Sequence, residues 1–241
     1  MSIAVERDAI DLPIDNVLVE LREYERIPQP VEAIPGRVEP SLVKSFAKRA
    51  IDIVGATVGL LAGAPVALCI ALAIRITSGK RVLFKQTRVG IDGKLFTMYK
   101  FRTMVLDAEE RRHELAGQNE ADGLLFKIAD DPRVTRVGKV LRPLGLDELP
   151  QLLNVLKGDM SLVGPRPALP IEVEMYDQRL RSRLWVKPGL TGLWQINGRH
   201  ELSFDEYAQY DLHYVNNWSL TLDLWVLLAT LPALVRRRGS Y

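Results

Sequence analysis

From Ile53 to Ile74 the chain runs for 22 residues without a charged side chain, and no other stretch constrains the fold as tightly. As a straight α-helix the run would reach roughly 33 Å at ~1.5 Å per residue, enough to cross a bilayer's hydrocarbon. Two features oppose a simple span. Pro65 sits in the middle, where its ring clashes with the carbonyl of Leu61 and deletes a helical hydrogen bond, so a sharp bend is expected. Both flanks are also basic, with Lys44, Lys48 and Arg49 before the run and Arg75, Lys80, Arg81 and Lys85 after it. The positive-inside rule therefore places both ends on the cytoplasmic side, as a re-entrant helix over residues 50–75 broken at Pro65 would do. Gly55, Gly59 and Gly63 recur every four residues as a smooth stripe that a second helix can approach closely, which makes a homodimer conceivable. A buried helix of a soluble core is the alternative reading of the run.

The charge is unevenly divided. Residues 1–43 hold nine acids and four bases within a formal net charge of +2, so the remainder carries an excess of seven positive charges. With Pro13, Pro28, Pro30, Pro35 and Pro40 among those acids, residues 1–43 read as a mobile extension. The first residues, MSIAVERDAIDLPID, have neither a basic start nor an apolar core, which argues against a secretory signal. A basic body suits an anionic membrane face or phosphorylated ligands, and no DNA or RNA motif accompanies the bases, so no nucleic-acid partner is expected. The single cysteine, Cys69, excludes a disulfide framework and a thiolate metal site.

Chemistry concentrates between Leu146 and Pro167, LDELPQLLNVLKGDMSLVGPRP. Pro150 suits the start of a helix and Gly158 the position just past its end, predicting a helix over 150–157. Asp147 and Glu148 precede it, where free N–H groups favour carboxylates and phosphates alike. Arg166 is clamped between Pro165 and Pro167, so its guanidinium can meet a phosphate with little ordering left to do. Acids before a helix are also ordinary caps, and a Pro-Arg-Pro turn can be only a turn.

Around this stretch, residues 82–104 predict a hairpin turning at Asp92-Gly93, with Phe96, Met98, Lys100 and Arg102 on one face. Residues 107–115 read as a charged surface helix. Arg133, Arg136, Lys139 and Arg142 recur every three residues opposite Val134, Val137 and Leu141, an amphipathic basic helix that could lie on lipid or bring Arg142 beside Asp147. The glycine-rich loop LTGLWQINGR carries Trp194, Gln195 and Arg199, which could hold a base, a sugar or a phosphate, although Trp194 fits a core equally well. Residues 220–235 are apolar except for Asp223 and end in three arginines, a short helix for the interface; Asp223 is costly there unless paired, which makes it a site candidate.

Several enzyme classes are absent from these motifs. There is no P-loop, no Rossmann glycine pattern, no Asp-x-Asp, and no metal-ligand spacing among His113, His200 and His213. From about Ser45 to Tyr241, through VLFKQTRVG, FTMYKFRTM, LDELPQLLNVLKGDMSLVGPRP, KPGLTGLWQINGR and YVNNWSLTLDL, the chain resembles the bacterial sugar transferases, monotopic phosphoglycosyl transferases that load a sugar phosphate onto a polyprenyl phosphate. The resemblance implies an α+β, mainly helical, membrane-anchored fold over residues 44–241, with a small antiparallel hairpin, the re-entrant segment and interfacial amphipathic helices. It implies Ala64-Pro65 at the place of the family's Ser-Pro break, Asp147 as nucleophile, Lys100 in catalysis, and Mg²⁺ held by Asp147 and Glu148. Arg142, Arg166, Arg199, Gln195 and Asp223 are the candidate substrate contacts.

The implied reaction moves a sugar 1-phosphate from a nucleoside diphosphate sugar, a UDP-hexose in the first instance, to undecaprenyl phosphate and releases UMP, on the cytosolic face of the inner membrane. Glucose and galactose both suit the exopolysaccharide-initiating members. Two other readings stay open: a non-catalytic membrane scaffold for polysaccharide assembly, and direct transfer in a ternary complex without a covalent intermediate.

Overall fold

The structure, a computed structural model, describes residues 41–79, 81–120, 128, 130–197 and 204–235. Most of the expected extension, residues 1–40, lies outside them, as do Lys80, Arg199 and the three terminal arginines. The apolar run belongs to one long helix, α1 (Leu42–Ser78). It starts about three turns earlier than the apolar run does, because the Ser41 hydroxyl accepts from the N–H of Lys44 and caps it, and it ends at Gly79 with φ 86°. The helix therefore takes in Leu42 and Val43, which the sequence reading assigned to the extension. It also continues through Pro65, so helical structure is not interrupted at the expected break. α1 is long and apolar enough to cross a membrane.

The glycine stripe is filled from within the chain. A Cβ on Gly55 would meet Leu162 at 2.6 Å, one on Gly59 would meet Leu152 at 3.1 Å, and one on Gly63 would meet Leu149 at 3.6 Å. The smooth face that suggested a dimer is thus the seat of the protein's own leucines. Polar contacts fix the same register: Arg49 donates to the carbonyls of Val155 and Leu156, at 2.6 and 2.7 Å, and buried Asp52 accepts from the Ser161 hydroxyl and the Leu162 N–H, both at 2.9 Å. The opposite face leaves Val54, Val58, Leu61, Leu68 and Leu72 exposed.

After α1 come β1 (Leu83–Val89) and β2 (Leu95–Phe101), an antiparallel hairpin with Phe84 opposite Lys100 and Arg88 opposite Phe96. Its turn uses positive φ at Asp92 and Gly93, 56° and 77°, as the Asp-Gly pair predicted. The charged helix expected over 107–115 is only one turn, α2 (Arg111–Glu114). The basic helix is shorter than expected too, α3 (Arg136–Leu141), since Thr135 caps it through a bond from the Gly138 N–H. Arg133 falls before the cap and turns inward, where its Nε and Nη2 bond Asp131 and its Nη1 donates to the Ala108 carbonyl. That leaves Arg136 and Lys139 as the basic face, and Lys139 pairs with Asp130 at 2.8 Å.

α4 (Gln151–Lys157) matches the helix predicted from Pro150 and Gly158, with Gly158 in the left-handed region at φ 92°. β3 (Ser161–Val163) pairs in parallel with β4 (Gly189–Thr191), a contact the sequence reading did not anticipate. Gly164 and Gly189 permit it: a Cβ on Gly189 would lie 2.1 Å from the Gly164 nitrogen, so the two backbones touch where no side chain fits. The short helices α5 (Pro170–Glu174), α6 (Gln178–Arg181) and α7 (Leu193–Ile196) follow, then α8 (Phe204–Asn216) and α9 (Leu220–Val235). One core cluster joins Ala56, Met98, Leu152, Val155, Met160, Leu162, Val163, Leu193, Tyr214 and Val226, so α1, the hairpin, α4, the parallel pair and α9 share an interior. The architecture is mixed and mainly helical, as expected, with one small antiparallel sheet.

Candidate active site

Asp147 and Glu148 lie in a 3-10 turn, Leu146–Glu148, directly before α4. A second such turn, Arg142–Leu144, precedes it, and Gly145 at φ 64° joins the two with a left-handed residue that reverses the chain. This reversal, rather than a helix terminus alone, presents the acids to a cleft of about 840 Å³. The cleft is floored by the hairpin face that carries Phe84, Gln86, Arg88, Met98 and Lys100, because these alternate residues point the same way. Asn154 holds the hairpin in place from α4. Fully buried, it accepts from the Tyr99 N–H at 3.1 Å and donates to the Thr97 carbonyl at 2.7 Å, satisfying the edge of β2.

The two acids differ. Glu148, partly exposed, receives Lys100 Nζ at 2.6 Å. Asp147 is only 8% exposed and has no salt bridge among the described residues. Burial raises its carboxyl above the ordinary range; the positive charge of Lys100 opposes that rise, the charge of Glu148 adds to it, and Arg142 opposes it again. Arg142 is anchored by Nε to the Thr103 hydroxyl at 3.0 Å, and burial presses its pKa down while Asp147 holds it up. The result is a buried carboxylate that feels two cations without being bound to either.

Other predicted residues have different settings. Arg166 lines the cleft, but its Nη1 is held by Glu172 at 3.0 Å. Gln195 also lines the cleft, its amide nitrogen 3.5 Å from the Leu190 carbonyl. Trp194 lies beside it, edge-on to Tyr207 with ring centroids 5.3 Å apart, so its ring takes part in packing. Arg199 is outside the described residues. Asp223 is not on the cleft: it is 2% exposed, with Lys48 at 2.7 Å, Tyr214 Oη at 2.7 Å and Trp218 Nε1 at 3.2 Å. The pairing that would make an acid tolerable in α9 is there, and it ties α9 to α1.

Sequence reasoning missed Arg88, Gln151 and Asn154. Arg88 and Gln151 line the cleft, and both are buried. The available signal was alternation: Arg88 shares a hairpin face with Lys100 once the strands are paired at Asp92-Gly93. Among the described residues no three His, Cys, Asp or Glu side chains gather as a closed metal site. The adjacent carboxylates of Asp147 and Glu148 are the side chains that could hold an ion, a pair suited to a hard cation that takes one or two carboxylates and completes its shell with phosphate oxygens and water.

The chain is similar to the galactosyl transferase CpsE of Streptococcus agalactiae, 47% identical over 196 residues, which cover 81% of this chain and 43% of CpsE. It is 41% identical over 210 residues to the exopolysaccharide production protein ExoY of Sinorhizobium fredii, covering 86% of this chain and 92% of ExoY. With the undecaprenyl-phosphate galactose phosphotransferase of Salmonella typhimurium it shares 43% identity over 216 residues, covering 85% of this chain and 44% of that protein. The chain thus spans under half the length of two of these relatives and nearly all of the third. The cleft with its paired acids lies inside the segment, residues 43–237, that matches the family model for bacterial sugar transferases, and the chain belongs to that family.

Proposed function

We propose that this protein transfers a sugar 1-phosphate from a UDP-hexose to undecaprenyl phosphate, releasing UMP, through a covalent phosphosugar intermediate on Asp147. This would be the first membrane step of exopolysaccharide or glycoconjugate synthesis. The observation that carries the reading is the asymmetry of the acid pair. A nucleophile needs an accessible lone pair, and Asp147 lines the cleft without an ion pair among the described residues, whereas Glu148 is engaged by Lys100. An Asp147 oxygen attacks the phosphorus that bears the sugar, and the bond from that phosphorus to the bridging oxygen breaks, its electron pair leaving with UMP. In the second half an oxygen of the lipid phosphate attacks the same phosphorus and the Asp147 carboxylate is restored. Lys100 and Arg142 offset charge on the transferred group without neutralising the attacking oxygen.

Mg²⁺ is the proposed cofactor, with Asp147 and Glu148 as its protein ligands, and when bound it supplies further charge compensation to the phosphates. The proposed site of action is the cytosolic face of the inner membrane. Lys48, Arg49 and Asp52 near one end of α1 and Ile70 and Ile74 near the other all pack on the same body, while the outer face stays apolar. From Lys48 to Ile74 this is roughly 39 Å of helix at ~1.5 Å per residue. A helix standing upright in the bilayer would draw that body, cleft included, into the hydrocarbon; a shallow re-entrant placement keeps it at the surface. The relatives named for galactose transfer, and one from Escherichia coli named for glucose 1-phosphate transfer from UDP-glucose, make those two sugars the first to test.

With the lipid acceptor omitted, purified protein given UDP-hexose and Mg²⁺ should release a burst of UMP stoichiometric with enzyme and gain the mass of a hexose phosphate on Asp147. Asp147→Asn should show neither. A folded enzyme that releases UMP only after undecaprenyl phosphate is added would establish the ternary-complex route, and one that never releases UMP from any nucleotide sugar would leave the scaffold reading.

A further inference from the structure

Arg88 poses a question that the acid pair does not answer. It is 8% exposed and lines the cleft, yet among the described residues all its hydrogen bonds go to neutral oxygens: Nε and Nη2 to Gln86 Oε1 at 3.1 and 2.6 Å, and Nη1 to the Pro167 carbonyl at 2.8 Å. A guanidinium offers five N–H donors in a fixed fork, so two remain after these three bonds. A buried cation is ordinarily paired with an anion, because its lost hydration is otherwise uncompensated. The nearest charges make matters worse before they help. Burial and the neighbouring Arg166 both lower the proton affinity of Arg88, while Glu172, which could relieve it, is bonded to Arg166. Being a guanidinium, it remains charged at neutral pH.

A second donor in the same cleft is also unanswered. Gln151 is 3% exposed, and its amide nitrogen has no hydrogen-bond acceptor among the described residues. A buried donor left unmade costs on the order of 1–3 kcal/mol, so such groups call for a ligand or an ordered water. Both orphans therefore ask for oxygen atoms, and Arg88 asks for negative ones.

We propose that Arg88 is the seat of the leaving nucleotide's phosphate, with its two unused N–H groups donating to the oxygens that gain charge as UMP departs. This rests on the transfer reaction proposed above and adds a residue to it. The reacting phosphorus must lie at Asp147, where Lys100 and Arg142 already stand. Arg88 is four residues along the hairpin face from the position opposite Lys100, an offset of roughly 13 Å at ~3.3 Å per residue before the long side chains converge. It is close enough to feel the charge of Glu148. The lipid phosphate is the other phosphate monoester in the reaction, and different cations suit it. Arg81 and Arg102 line the cleft at the open end of the hairpin, beside Leu83 and just past the end of α1, where the polyprenyl chain in the membrane can deliver its head.

The test uses the full-length protein in nanodiscs and UMP as probe, with uridine as the phosphate-free control. On an Asp147→Asn background, Arg88→Gln should weaken UMP binding about ten- to hundredfold, the loss of a charge-assisted contact, while uridine binding holds. Arg88→Lys should recover part of that loss. In the otherwise wild-type protein, Arg88→Gln should slow the UMP burst, yet leave the second half, transfer from a preformed aspartyl intermediate to undecaprenyl phosphate, within about twofold of wild type. Equal UMP affinity in Arg88→Gln overturns the assignment, as does parallel loss of UMP and uridine, which marks Arg88 as a purely structural prop. Slowing of the second half alone overturns it in favour of the lipid phosphate. If wild type binds and releases no UMP at all, the transfer reading itself fails, a result distinct from any of these.

Discussion

Gly138→Ala places a methyl group where the structure has no room for one, and it does so two turns of chain from the candidate nucleophile. A Cβ there would lie 2.2 Å from the Thr103 carbonyl oxygen and 2.9 Å from Thr103 Cβ, whereas ordinary contact begins near 3.4 Å. Backbone must therefore move by more than an ångström. That carbonyl is already occupied, accepting from the Thr135 N–H at 2.9 Å and the Thr135 hydroxyl at 3.2 Å, and the same hydroxyl accepts from the Gly138 N–H at 3.0 Å. Overpacking costs ~1–3 kcal/mol, and each of these hydrogen bonds is worth about 1 kcal/mol net. Against this, alanine gains up to ~1 kcal/mol over glycine inside a helix. The expected balance is a loss of about 3 kcal/mol, or roughly 6–12 °C in Tm for a domain of this size. Thr103 also holds Arg142, so the displacement reaches the site, and an ångström of misplacement there corresponds to about a hundredfold in turnover. Thermal unfolding in detergent and UMP release measure the two effects. Gly117→Ala is the control, with nothing within 4 Å of its added Cβ. Helix propensity alone predicts that Gly138→Ala stabilises, so an unchanged or raised Tm with full turnover refutes the contact.

Lys48→Met should cost about 3 kcal/mol, because Asp223 is left buried without its cation, while the KM for the nucleotide sugar stays put; a raised KM at unchanged Tm would restore Asp223 to the substrate site. Single cysteines at positions 43 and 81, in a Cys69→Ser background, should label from the same side of the membrane, and Pro65→Leu should favour a span with opposite labelling. In the pH profile of the UMP burst, the attacking form is the Asp147 anion, so the rate falls as pH drops through a carboxyl pKa that burial has raised. Lys100→Met should move that limb to higher pH and Glu148→Gln to lower pH, and a limb fixed in both variants would remove Asp147 from the assignment. Folding raises this pKa, so the wild type gains stability as pH falls through it; Asp147→Asn should match or exceed the wild-type Tm at pH 8 and lose that advantage on acidification.

What the sequence disclosed and what it hid follow from the range of the interactions concerned. Pro150 and Gly158 mark the bounds of α4 because their effects act through their own φ angles and N–H groups, and Asp92-Gly93 marks the hairpin turn for the same reason. The long apolar helix is legible from composition alone. The partners of that helix are not: Gly55, Gly59 and Gly63 announce a close approach without saying to what, and the leucines that fill the stripe come from about 90 to 110 residues further on. Arg133 misleads in the same way, since a three-residue spacing of bases describes a helical face only if a helix starts before them, and the Thr135 cap starts it after.

The site shows the limit most clearly. Asp147 and Glu148 can be picked out as neighbours in sequence, but their different settings arise from Lys100, 48 residues away, pairing with one of them. That choice depends on Asn154 fastening β2 against α4, which sets the height at which Lys100 leaves the hairpin. Arg88 is hidden by the same logic: in one dimension it is a strand arginine like Lys85, and only the paired register turns it inward while Lys85 stays in solvent. A residue's chemistry here is therefore assigned by the hairpin's pleat. A one-residue slip of β1 would send Arg88 outward and Lys85 into the cleft, exchanging a buried, preorganised fork for a flexible point charge without altering the composition of the site.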